Sequence, residues 1–127
     1  MDKGTYDKGL EIRKAVVGRE YVEKSLAAAD ELTRPLQELI TQYCWGEVWG
    51  REHVIDRRTR SVLNIGMLIA LNRPHELKLH VRGALNNGLT PEEIHELVLQ
   101  TAIYCGVPAA LDASRVVREV IDQHAGD

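Results

Sequence analysis

The sequence predicts an all-α fold, a compact bundle of about six or seven helices, on three observations. Apolar residues recur at three- and four-residue spacing, and no stretch sustains the apolar/polar alternation of a half-buried strand. Phenylalanine is absent and aromatics make up only 5% of the chain, so the core must come from Leu, Ile, Val and Ala, a mixture that suits helices better than a sheet. Helix start and stop signals follow one another closely, with no long linker, repeat or low-complexity tract between them. A chain of 127 residues fits one domain, 1–127, with a real but modest core.

The first helix is predicted from Tyr6 to Val17, closed by Gly18. A short second helix covers Glu20 to Asp30. Thr33-Arg34-Pro35 opens a third, because proline at a first-turn position lacks only an N–H that has no partner there. Its inward stripe is Leu36, Leu39, Ile40, Tyr43 and Cys44, and it fades at Gly46. From Gly46 to His53 the sequence reads as a helix end followed by an ordered loop, dense in bulky and polar groups around Trp45 and Trp49. Asp56 is placed to cap a fourth helix with an apolar body from Val62 to Leu71. Arg57, Arg58 and Arg60 lie in its first turns, where cations oppose the macrodipole and an anionic partner is expected.

Asn72-Arg73-Pro74 breaks that helix and starts a fifth, with Leu77, Val81, Ala84 and Leu85 on one stripe and a stop at Asn86-Asn87-Gly88. Thr90-Pro91-Glu92-Glu93 is the strongest local signal: a threonine cap, proline at the first helical position and Glu93 to close a capping box. The helix it opens ends at Gly106. Pro108 begins the last, whose apolar side carries Ala109, Ala113, Val116, Val117, Val120 and Ile121. The helix of Val62–Leu71 is apolar over more than one face, which in so small a chain implies subunit contacts and a homo-oligomer.

A net charge of −3 excludes the basic excess of a nucleic-acid binder, and no basic amphipathic stretch suggests a membrane surface. The longest near-apolar run, Val62–Leu71, is interrupted by Asn64 and too short to span a bilayer. The N-terminus has no apolar stretch of the kind that marks a signal peptide, so a cytoplasmic location is expected. Cys44 and Cys105 form no C-x-x-C and read as reduced, mostly buried thiols. Among the histidines, His75 and His80 are spaced i, i+5, and no H-E-x-x-H or carboxylate cluster accompanies them, so no metal site is expected.

The stretch RRTRSVLNIGMLIALNRPHELKLHVRGALNNGLTPEEIHELVLQTAIYCGVPAA, with YCWGEVWGRE upstream, resembles the carboxymuconolactone decarboxylase family over Tyr43–Ala110, more than half the chain. The pieces GEVW, H-V-R-G-A-L-N-N-G-L-T and Y-C-G-V-P-A-A are diagnostic as a set, though each alone is weak. The resemblance implies an AhpD-like helical fold, a homo-oligomer (trimer or hexamer), and loss of CO2 from 4-carboxymuconolactone to give the 3-oxoadipate enol-lactone in aromatic catabolism. The peroxidase branch of that fold uses a C-x-x-C followed by a histidine. Here Arg73 and Glu76 occupy the region of the thiols and only His80 matches, so thiol peroxidase or reductase chemistry is disfavoured. A non-enzymatic binding protein on the same fold is the other alternative.

Such a decarboxylation needs no cofactor, because the electrons of the departing carboxylate drain into the lactone carbonyl as a dienolate. The protein must supply a cation for the carboxylate that stays, a donor for the lactone oxygen, and an acid for the ring carbon. His80 is the first candidate acid, on a helix face with Leu77, Val81 and Ala84, against the alternative of a core histidine bonded to a backbone carbonyl. Glu47 is the second, expected to be buried between the tryptophan-bearing turns rather than a surface carboxylate. Arg51, Arg58 and Arg60 are candidates for the carboxylate clamp, Arg60 preferred for its closeness to the apolar body of its helix. Trp45 and Trp49 either wall a dry pocket or pack in the core.

Overall fold

The computed structural model describes residues 2–126. It is all-α, with no strand among the described residues. The helices are α1 (Lys3–Val17), α2 (Arg19–Ala27), α3 (Arg34–Leu39), a π-helical segment (Ile40–Val48) continuous with α3, α4 (Arg57–Ala70), α5 (Pro74–Asn86), α6 (Pro91–Tyr104) and α7 (Val107–Ala125). The chain divides after Arg57 into two compact units.

In the first unit α1 packs along the π-helical segment. The helix starts earlier than its apolar stripe suggests, because the Asp2 carboxylate accepts the Gly4 N–H at 3.0 Å and caps it. Gly18, at φ +98°, ends α1 as expected and at once precedes α2. The second helix stops at Ala27, short of Asp30. Asp30 Oδ1 instead accepts the backbone N–H groups of Leu32 and Thr33, each at 3.0 Å, and this local turn competes with helix continuation.

Two glycines permit the close approach of α1 and the π-helical segment. A Cβ at Gly9 would lie 1.9 Å from the Thr41 carbonyl oxygen and 2.7 Å from the Gly46 nitrogen. Both neighbours are backbone and cannot swing aside. Beside this contact the buried Arg13 donates from Nη1 to Thr41 Oγ1 at 3.1 Å, linking the same two elements. Replacing Gly9 with alanine is therefore expected to cost about 3 kcal/mol, the upper part of the range for overpacking. Urea denaturation monitored by circular dichroism measures it, and a loss below about 0.5 kcal/mol would show that the helices separate freely.

The expected fade at Gly46 does not occur. The Trp49 N–H bonds to the Cys44 carbonyl at 2.9 Å, an i→i+5 bond, so the winding widens instead of breaking. The stripe predicted to face inward is also displaced. Leu36, Leu39 and Tyr43 are 51%, 59% and 61% exposed, while Thr41, Trp45, Gly46 and Trp49 are buried.

The second unit is a four-helix arrangement with its own core of Ile65, Ile69, Leu77, Val81, Ala84, Ile94, Val117 and Val120. The capping box forms as expected. Thr90 Oγ1 accepts the Glu93 N–H at 3.1 Å, and the Thr90 N–H donates to Glu93 Oε1 at 3.0 Å. On the α5 and α7 surfaces Lys78 meets Glu119 and Arg82 meets Gln123. Cys105 is exposed, against the expectation of burial, because it caps the end of α6 outside the packed stripe; Cys44 is half-buried.

Candidate active site

The site residues expected from the sequence fall in both units. In the first, Trp45 and Trp49 are each 3% exposed and lie ring against ring, with centroids 4.6 Å apart and planes 33° apart. Glu47 is exposed, and the burial expected for it does not occur. The π-helical winding explains this: the buried positions run 41, 45, 46 and 49, and residue 47 falls beside that stripe on the outer face. Arg51 is exposed in the turn that follows.

Of the three arginines near the start of α4, Arg57 closes the first unit, and Arg58 and Arg60 lie in the second. Arg58 forms an ion pair with Glu93, the same carboxylate that closes the capping box. Arg57, at the start of the same helix, pairs with Glu52 at 2.7 Å. The chain's own carboxylates thus supply part of the negative charge expected near this helix end. Arg60 is half-buried and lies one helical turn before Asn64 on the same face of α4.

His80 sits at the edge of the buried stripe of α5, flanked by Leu77, Val81 and Ala84, and is itself half-buried. Its Nδ1 lies 3.4 Å from Asn64 Nδ2. Desolvation pushes its pKa down to about 4, a shift that the Glu76 carboxylate one turn earlier only partly opposes. The ring is therefore a neutral imidazole at pH 7. The structure brings His80 against Asn64, which lies one turn after Arg60 on α4 and stands out in the sequence only as an interruption of an apolar run. That interruption was the available signal, since a half-buried amide among aliphatic neighbours needs a polar partner.

No group of three or more His, Cys, Asp or Glu placed to hold a metal ion occurs among the described residues. No helix among them is long and apolar enough to cross a membrane. Burial pushes the Cys44 thiol up, away from the reactive thiolate state, although Arg13 pulls slightly the other way.

An all-helical chain with an imidazole held neutral beside an arginine-bearing helix face falls, on comparison with known proteins, among the carboxy-lyases. It is 48% identical over 122 residues, 96% of this chain and 85% of the relative, to the nitrosuccinic acid decarboxylase npaB of Metarhizium robertsii. It is 40% identical over 119 residues, 94% of this chain and 88% of the relative, to the 4-carboxymuconolactone decarboxylase of Acinetobacter baylyi. Residues 34–119 match the carboxymuconolactone decarboxylase family, and the chain belongs to that family.

Proposed function

We propose that this protein removes CO2, without a cofactor, from 4-carboxymuconolactone or a related carboxylated lactone, giving the 3-oxoadipate enol-lactone. The observation that carries this reading is the neutral, half-buried His80 with Arg60 one turn from its partner Asn64. The leaving carboxylate departs as CO2, its electron pair passes through the ring to the lactone oxygen, and a proton from solvent water then adds to the ring carbon as the dienolate collapses to the enol-lactone. His80 donates a neutral N–H to that oxygen as negative charge grows there; a neutral imidazole suits this role because it stabilises the oxyanion without being consumed as an acid. At pH 7 about one ring in a thousand would be imidazolium, so His80 acts as this hydrogen-bond donor rather than as the bulk proton source first expected of it. Arg60 holds the carboxylate that remains.

A second reading is favoured by the 48% identity to a nitrosuccinic acid decarboxylase. Nitrosuccinic acid carries a nitro group on the carbon that bears one of its two carboxylates. That group accepts the electron pair as a nitronate, so the same donor and the same cation would serve.

The test is CO2 release by purified protein from each acid separately, with no added cofactor. Turnover of the lactone supports the first reading. Turnover of nitrosuccinic acid alone replaces it with the second, and no release from either overturns both.

The protein is further proposed to be a homo-oligomer. Leu63, Met67 and Tyr104 border an apolar groove of about 440 Å³ between α4 and α6, and Leu99, Val107 and Leu111 border one of about 380 Å³ between α6 and α7. Light scattering behind size-exclusion chromatography gives the mass; a monomer at micromolar concentration would refute this.

A further inference from the structure

We propose that Arg13, in the first unit, is an anion-binding residue that takes the carboxylate of a small organic acid. This goes beyond the decarboxylation and does not depend on His80. The physical ground is the cost of hiding a charge. Arg13 lies on the buried face of α1 with Ile12, Val16 and Val17, and is itself 4% exposed. A guanidinium keeps its charge at any ordinary pH. Taken out of water, it is stable only against an anion or a full set of acceptors.

The first unit provides neither. Among the described residues Arg13 makes one hydrogen bond, from Nη1 to the buried Thr41 Oγ1 at 3.1 Å, and no ion pair. The groups whose field favours its charge are Tyr21, Tyr6 and Cys44, two phenols and a thiol, and desolvation outweighs them. Carboxylates of the same unit serve exposed cations instead: Arg19 pairs with Glu23, and Lys24 with Glu20.

The nitrogens that remain define the ligand. With Nη1 on Thr41, the edge of Nε and Nη2 is left over, and its parallel N–H groups match the two oxygens of a carboxylate. The bond to Thr41 holds the plane of that fork. Neither nitrogen is among the buried polar atoms that lack a partner, so the edge still meets water and a solute has a route to it. With so little of the residue open, the anion is a small acid rather than a protein surface.

The test is thermal unfolding of the full chain by circular dichroism in sodium acetate, against sodium chloride at equal ionic strength. A carboxylate that binds only the folded state raises the melting temperature along a saturating curve; a site with a Kd of about 10 mM gives about 5 °C at about 100 mM acetate. Arg13→Met should melt at one temperature in both salts. In chloride it should melt no lower than the unsubstituted protein, because it removes an uncompensated buried charge and keeps the apolar stem. Arg13→Lys keeps the charge without the fork and should retain less than half of the rise. His80→Ala should keep all of it, so failure of the catalytic assignment leaves this result untouched.

Equal melting of the unsubstituted protein in acetate and chloride overturns the proposal, and needs no variant to fold. A rise that survives Arg13→Met overturns it as well. So does a melting temperature that climbs with protein concentration and ignores acetate, which would give the position to a carboxylate of a second copy.

Discussion

Replacing His80 with alanine is expected to lower kcat by about 10²–10³-fold, the typical cost of removing one donor to a developing oxyanion. The loss belongs in kcat more than in KM. In the ground state the acceptor oxygen of the substrate is a neutral carbonyl or a nitro group, and it gains its charge only as the carbon–carboxylate bond breaks. An interaction that strengthens only at that point stabilises the transition state and not the bound substrate. Steady-state kinetics on the decarboxylated acid, with circular dichroism to show that the variant is folded, measures the effect. His80→Gln, which keeps an N–H at the end of the side chain, should recover part of the rate. If His80 were only a core residue satisfying Asn64, alanine would lower the melting temperature and leave kcat where it was. A pH profile separates donor from acid: an imidazolium acid gives a limb near pH 6.5, whereas a ring titrating at about 4 leaves the neutral range flat as far as His80 is concerned.

The second large effect is on stability. His80 titrates at about 4 in the folded chain against an ordinary value near 6.5. The folded state therefore refuses a proton that the unfolded state accepts. Between these two values the unfolded chain binds more protons, so stability rises with pH across that window and is lost as the solution is acidified from 6.5 towards 4. Above pH 6.5 both states are neutral at this residue and the penalty is absent. The full shift corresponds to roughly 3 kcal/mol, reduced to about 2 kcal/mol because the ring keeps some access to water. Urea denaturation of the unsubstituted protein and of His80→Gln, each at pH 4.5 and pH 7, isolates it. The carboxyls of Asp2, Asp30 and Glu93, held low chiefly by hydrogen bonds, add acid sensitivity of their own at lower pH, and they are present in both proteins. Equal losses in the two proteins would show that residue 80 is hydrated in the folded state.

Local punctuation carried through to the structure wherever the determining atoms are neighbours in sequence. Gly18, Pro74, the Thr90–Glu93 box and Pro108 all mark boundaries where the chain turns or a helix begins, because caps and proline act within one helical turn. The core stripes of α5 and α7 were likewise legible, since a period of 3.6 places Leu77, Val81 and Ala84, or Ala113, Val117 and Val120, on one face whatever they pack against. The stripe of α3 was not. Its apolar spacing assumed an α-helix through Cys44, and the π winding, together with the glycine contact between Gly9 and Gly46, turned a different set of residues inward and Glu47 outward.

Helix content, the order of the elements, the absence of a dithiol motif and His80 as a residue of interest were all determined by the sequence itself, because each depends on residue type and short-range spacing. The partner of His80, the protonation state of its ring and the differing environments of Arg58 and Arg60 were decided by tertiary structure. A pKa and a tautomer depend on how much water surrounds a ring and which dipole faces it. Residues 64 and 80 meet only after α4 and α5 have packed.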